Sequence, residues 1–189
     1  MTAQQRRESI LVAATGVFAE VGYQRGKTSE VARRVGVTEP VVFQNFGTKA
    51  ALFVAVLDRA TDWACALLEQ EGQSVVALLG AALAPAHLAH VHDAGSVGAI
   101  FADAASITGE PDVEAAARRS TRRIAAALAD VLDRGRVAGE LRADLDPETA
   151  AWWLLSLVAS QRFRRTTAAD PTGVETRLAG ATLAFLTGR

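Results

Sequence analysis

The chain contains one cysteine, one methionine and one tyrosine in 189 residues. A lone Cys65 excludes a disulfide framework within one chain and points to a reducing compartment. One tyrosine and few isoleucines argue against a protein built from sheets. No run approaches the roughly eighteen apolar residues that read as a membrane span. The start, Met1 to Glu8, holds no apolar core of a secretion signal, so a cytoplasmic protein without membrane contact is expected. Enzyme signatures are missing too: there is no nucleophile elbow, phosphate-binding loop, HExxH or paired-cysteine motif. The net charge of −1 is poor for a nucleic-acid binder taken as a whole.

What is present favours helix. Half the residues are hydrophobic, enough for a real core, and alanine, leucine, arginine and glutamate, all strong helix formers, are abundant. The charge is unevenly spread. Residues 1–50 hold seven Lys/Arg against four Asp/Glu, a balance of +3, and residues 51–189 hold thirteen against seventeen, a balance of −4. A mildly basic head on an acidic body follows, and a dimer would double the basic face.

Apolar periodicity and the Gly/Pro punctuation give about nine helices. Helix 1 spans about residues 4–21, with Ile10, Leu11, Ala14, Val17, Phe18 and Val21 at three- and four-residue steps and Gly22 as its stop. Two short helices follow, at about 29–35 and 40–45. A fourth runs from after Thr48 to about Glu71. Residues 74–92 form a fifth, with Pro85 expected to kink it. Further helices are placed at 99–107, 111–136, 146–165 and 174–186.

The stretch Thr28 to Phe53 is the most specific part. Val31 and Val35 share one apolar face, Gly36 supplies the left-handed stop, Thr38 suits an N-cap and Pro40 the first turn of the next helix. Gly47 ends that helix and Thr48 can cap the following one. Two short helices joined by a glycine turn form a helix-turn-helix, which places its second helix in the DNA major groove. Arg7 to Leu57 resembles the N-terminal DNA-binding domain of the TetR/AcrR family of bacterial transcriptional regulators. The resemblance is carried by Ile10-Leu11, Ala13-Ala14, Phe18-Ala19-Glu20, Gly22-Tyr23, Val31-Ala32, Gly36-Val37, Phe46-Gly47-Thr48-Lys49 and Ala51-Leu52-Phe53.

That resemblance implies an all-α protein with a DNA-binding head at 1–50 and a helical ligand-binding and dimerisation domain at 51–189. The second short helix becomes the recognition helix. It would expose Thr38, Glu39, Pro40, Val41, Phe43, Gln44 and Asn45 and turn Val42 and Phe46 inward. Gln44 and Asn45 can pair with the N6 and N7 edge of adenine, Gln44 ahead of the two. Pro40 and Val41 can touch thymine methyls. Lys49 would reach a phosphate beside a helix N-terminus, and Lys27, Thr28 and Ser29 would grip the opposite backbone. Phe43 stands where the family usually has tyrosine, Glu39 and Val41 where it has basic or polar and small hydroxyl residues, and Lys27 where it has threonine. Glu39 can accept from cytosine N4. Fewer phosphate bonds predict a shallow salt dependence.

For the body the resemblance implies a small, largely apolar effector that releases a dimeric repressor from a palindromic operator. Trp63, Leu67, Leu83, His87, Phe101 and Trp152 are the candidate pocket residues, each with ordinary core as its alternative. The last two helices are apolar on more than one face, which calls for a partner subunit; the resemblance places their symmetry mates against them as a four-helix bundle. His87 and His90, three apart, can share a helix face while His92 points elsewhere, and Asp93 and Cys65 join a metal or enzyme reading only by assuming a fold; the spacing gives no sign that they converge, and no metal or cofactor is expected. Asp103 could complement a cationic ligand, but one carboxylate decides nothing. Arg118, Arg119, Arg122 and Arg123 read as a solvated basic face. A helical interaction protein whose head no longer binds DNA is the alternative.

Overall fold

The structure, a computed structural model, describes residues 2–70, 72–91 and 93–189. Met1, Glu71 and His92, the last of the three histidines singled out, lie outside the described residues; the helix expected to run to about Glu71 ends at Leu68. Among the described residues there are eleven helices and no strand. They are α1 (Ala3–Arg25), α2 (Thr28–Val35), α3 (Glu39–Phe46), α4 (Lys49–Leu68), α5 (Val75–Ala82), α6 (Pro85–Val91), α7 (Val97–Ser106), α8 (Pro111–Val137), α9 (Pro147–Ala159), α10 (Gln161–Thr167) and α11 (Pro171–Thr187).

Two of the nine expected helices are each divided. Pro85 ends more than it bends: α5 closes at Leu83, and proline opens α6, where its missing N–H leaves no donor unsatisfied. The second division falls at Ser160. There the Leu157 carbonyl accepts from Arg164 Nη2 at 2.7 Å. The same guanidinium forms a nearly buried ion pair with Glu175 of α11, Nε to Oε1 2.7 Å.

The chain forms two compact units. One comprises Met1–Trp63 and Val91–Thr121, the other Ala64–His90 and Arg122–Arg189. In the first unit Ile10, Val17, Phe18, Val31, Val42, Leu52, Phe53, Leu57, Ile100 and Val113 make the core. Phe18 meets Phe53 edge to face, with centroids 5.1 Å apart, and Tyr23 lies 5.0 Å from the same ring. Thr61 and Ser120, both buried, join hydroxyls at 2.9 Å, so that polar groups on α4 and α8 satisfy each other inside.

The regular helix of α1 is broken at Gly22, as expected, by a kink with φ 77° and ψ 172°, and a short helical turn continues beyond it to Arg25. That region of backbone space is essentially glycine's alone. The kink is stapled from outside: Asp103 on α7 accepts the Tyr23 N–H at 2.6 Å. Asp103, considered for a cationic ligand, is thus committed to the backbone of α1, and α7 also receives α1 at its entry, where the Gly95 N–H reaches the Ala19 carbonyl at 2.8 Å.

In the second unit Val75, Leu79, Leu83, Leu128, Val131, Leu132, Leu141, Leu154 and Leu186 form the core. Asp146 caps α9 through the Thr149 N–H at 3.1 Å, as its position before Pro147 predicts. Several large apolar side chains of this unit stay outside: Trp152, Trp153, Phe163 and Phe185 are all exposed. No helix is long and apolar enough, among the described residues, to cross a membrane.

Candidate nucleic-acid interface

The helix-turn-helix forms as its residues require. Val31 and Ala32 bury one face of α2, and Gly36 takes the left-handed conformation, φ 75° and ψ 32°. Its N–H returns to the end of α2 while Val37 bonds the Ala32 carbonyl at 3.0 Å. Thr38 is the N-cap residue of α3, yet its side chain makes no capping bond. Thr48 does cap, accepting the Ala51 N–H at 3.0 Å.

Four-residue spacing divides α3 into faces. Val42 and Phe46 are buried, at 1% and 8% exposure, and join the core. Gln44, about 160–200° from both at 100° per residue, is exposed, as are Thr38, Pro40 and Phe43; Val41, Glu39 and Asn45 are half-buried. The flanks are occupied. On one, the Thr28 hydroxyl donates to Glu39 Oε1. On the other, Asn45 Nδ2 donates to the Val41 carbonyl at 2.7 Å, and the Asn45 carbonyl accepts from Arg7 Nη1. The outermost residues are therefore Pro40, Phe43 and Gln44, with half-buried Val41 beside them.

Of the residues expected to meet phosphate, Lys27 and Ser29 are exposed at the start of α2 and Thr28 is buried. Lys27 provides no side-chain cap there. Lys49, at the start of α4, donates from Nζ to the Gln24 carbonyl at 3.1 Å and stands 4.6 Å over the Tyr23 ring. Burial lowers its pKa, against the attraction of Glu110 and Asp103. Tyr23 in turn donates its hydroxyl to Glu110 Oε1 at 3.0 Å, and burial followed by that carboxylate pushes the phenol up to about 12. Arg33 and Arg34 are an ionic surface: Arg34 spans Glu20 and Glu30, and Arg33 holds Glu30 at 2.7 Å. Hydrogen bonds from Arg33 and Arg34 bring the Glu30 carboxyl down to about 2.

The six residues considered for an effector pocket divide between the units. Trp63 and Phe101 lie in the first, Phe101 packed against its core and Trp63 exposed. Leu67, Leu83, His87 and Trp152 lie in the second, where Leu83 is core and the other three are exposed. Among the described residues no three His, Cys, Asp or Glu side chains are grouped as a metal would need. Sequence reasoning did not single out Arg7, Asp103 as a backbone staple, or Glu110. Their partners lie 38, 80 and 87 residues away, and no local spacing signals such contacts.

In the second unit Trp153 of α9 stacks on Phe185 of α11, with centroids 6.2 Å apart and planes 29° from parallel. Arg142 lies 5.2 Å over the Phe185 ring while its guanidinium pairs with Asp144 at 2.6 Å. Half of each aromatic surface remains open, at 56% and 52% exposure. Gly180 and Ala181 on α11 are exposed as well.

The family model of bacterial regulatory proteins of the tetR family matches residues 10–56. Over 58 residues the chain is 43% identical to the HTH-type transcriptional activator FasR of Mycolicibacterium smegmatis, a match that spans 31% of this chain and 26%, about a quarter, of that protein. It is 25% identical over 166 residues to the HTH-type transcriptional repressor Rv1474c of Mycobacterium tuberculosis, covering 88% of this chain and 85% of that one. The fold is similar to a crystal structure of a putative TetR-family transcriptional regulator from Rhodococcus sp., at a TM-score of 0.75 and 23% identity, with 97% and 99% of the two chains covered. These relatives are regulators of transcription and not enzymes.

Proposed function

We propose, for a chain that is a TetR-family transcriptional regulator in head and fold, that it acts as a dimer, represses from a palindromic operator and is released by a small, largely apolar effector. The observation that carries the DNA-binding part is the division of α3: Val42 and Phe46 hold it in the core, and Gln44 stands exposed opposite them. Gln44 is the side chain best placed to read a base edge, with an amide that matches adenine's N6 and N7. Pro40, Val41 and Phe43 supply apolar contact beside it. Lys27, Ser29 and Lys49 follow the backbone, Lys49 beside the helix N-terminus at the start of α4. Thr28, Glu39 and Asn45 support that surface through their own hydrogen bonds.

In this reading residues 1–50 bind DNA and residues 51–189 hold the effector and the partner. The dimer forms through α9 and α11. Trp153, Phe185 and the small Gly180 and Ala181 offer a face that leaves large aromatics in water if nothing covers it. The effector is sought in the second unit, among the candidates Leu67, Leu83, His87 and Trp152. Its action is a matter of register. Two half-sites lie about 34–36 Å apart, so spreading the heads breaks simultaneous contact. Moving such an equilibrium from 1:99 to 99:1 takes about 5.5 kcal/mol of differential affinity. The relative Rv1474c is named a repressor and FasR an activator; repression is preferred here because the repressor match runs along most of the chain.

The test is selection of bound duplexes from a random DNA library, then affinity as a function of salt. A palindrome bound by a dimer, with affinity falling as salt rises, supports the reading and provides the operator for an effector screen. A folded dimer that enriches no sequence at low salt sinks it and leaves a helical interaction protein.

A further inference from the structure

The helix that would enter the major groove is tied down at both ends. At its start, Glu39 is bonded by Thr28 of α2. At its end, Arg7 of α1 makes two contacts of different kinds. Its Nη1 donates to the Asn45 carbonyl, and its guanidinium lies over the Phe46 ring, 4.1 Å from the centroid. The last carbonyls of a helix have no intrahelical donor and carry the negative end of its dipole, so a cation there satisfies both needs. A planar guanidinium can donate along its edge while stacking by its face, which a compact ammonium cannot do in the same way. Asn45 completes the brace by returning its Nδ2 to the Val41 carbonyl at 2.7 Å.

Gln44 sits immediately before Asn45 and Phe46, the two residues that Arg7 holds. With only eight residues in α3, the last turn has little regular helix to stiffen it. We infer that Arg7 is a positioning residue for base recognition: it fixes the last turn of α3, and with it the aim of Gln44, rather than contributing a phosphate contact. This rests on the DNA-binding reading above. It assigns an operator-reading role to a residue of α1, outside the helix-turn-helix.

The experiment uses the full chain and the duplex that the wild type selects, compared with random duplex of equal length across a salt series. Arg7→Met removes the charge and the fork while keeping an unbranched stem; Arg7→Lys keeps the charge. Melting of each variant is followed in parallel. The expected result is that both variants lose roughly five- to tenfold of the preference for selected over random DNA, the scale of one hydrogen bond, with random-DNA affinity and salt slope held. A general structural role would lower the melting temperature without changing that ratio, and this outcome overturns the inference. A phosphate contact would show as equal losses on both duplexes with a shallower salt slope for Arg7→Met, restored by Arg7→Lys, and also overturns it. Failure of the wild type itself to select any duplex would remove the DNA-binding reading and this inference with it, an outcome distinct from the other two.

Discussion

Tyr23 donates its hydroxyl to Glu110 at 3.0 Å, joining the end of α1 to the residue that precedes α8. The pairing accounts for much of how the first unit closes, because Lys49 stands over the same ring and Asp103 holds the same residue's N–H. It also gives a direct spectroscopic handle, since Tyr23 is the only tyrosine in the chain.

Tyrosinate absorbance should therefore report Tyr23 alone. In the folded protein the phenol should titrate near 12, and in the denatured chain near its ordinary value of about 10. A folded pKa above the unfolded one means that the native state holds the proton more tightly. Its stabilising effect is full below pH 10 and is lost as pH rises through 12. Urea melts of wild type and Tyr23→Phe should differ by about 1 kcal/mol at neutral pH, the size of one hydrogen bond, and the order should reverse in strong alkali, where only the wild type loses stability as its phenol ionises. A single titration near 10 in folded protein would contradict this geometry.

Gln44→Ala should weaken binding to the selected duplex far more than to random DNA, by about 1–3 kcal/mol for a lost base pairing. Lys49→Ala should weaken both and reduce the salt slope by about one. Titration of each variant against both duplexes separates the two. Equal losses for Gln44→Ala on both would show that it does not read bases.

If the proposed dimer forms through α9 and α11, Phe185→Glu should convert it to a monomer in sedimentation while leaving helical content intact. The ring is half exposed, so the substitution buries no charge within the chain. A dimer unchanged at micromolar concentration would place the partner surface elsewhere.

Gly22→Ala should destabilise the fold by about 1–3 kcal/mol, the cost of holding a side-chain-bearing residue in a glycine conformation. Space adds to the strain, because a Cβ there would stand 3.0 Å from an Asp103 carboxylate oxygen. Thermal melting gives the number directly. A neutral result would mean that α1 straightens and abandons the bond to Asp103.

The helix-turn-helix was legible because its signals are local. Gly36 and Pro40 act through their own backbone conformations, Thr48 through a side-chain cap three residues on, and Val42 and Phe46 point inward by periodicity alone. Gly22 shows where local reading ends. Glycine after a helical run implies a break, and the backbone does turn non-helical there; what the run does not announce is Asp103, eighty residues on from Tyr23, which accepts the Tyr23 N–H just past the break. Ser160 is similar, a division accompanied by a guanidinium that pairs with a later helix. Glu39 and Thr28 were each read as facing DNA, and their bond to one another depends on the angle between α2 and α3, which no pattern within either helix encodes. The candidate effector residues were chosen for size and polarity, which do not distinguish a pocket wall from core or surface.

The seat of α7 on α1 bears on how this protein can be recombined. Its residues between Val97 and Ser106, with the first part of α8, complete the packing of a unit whose other members lie in residues 1–63. A chimera that joins residues 1–50 to a foreign body would leave Ile100 and Ala104 behind, and Tyr23 without Asp103 and Glu110. Transplanting the specificity of this head thus calls for exchanging the exposed stripe of α3 residue by residue, because a cut in the sequence does not coincide with a seam in the packing.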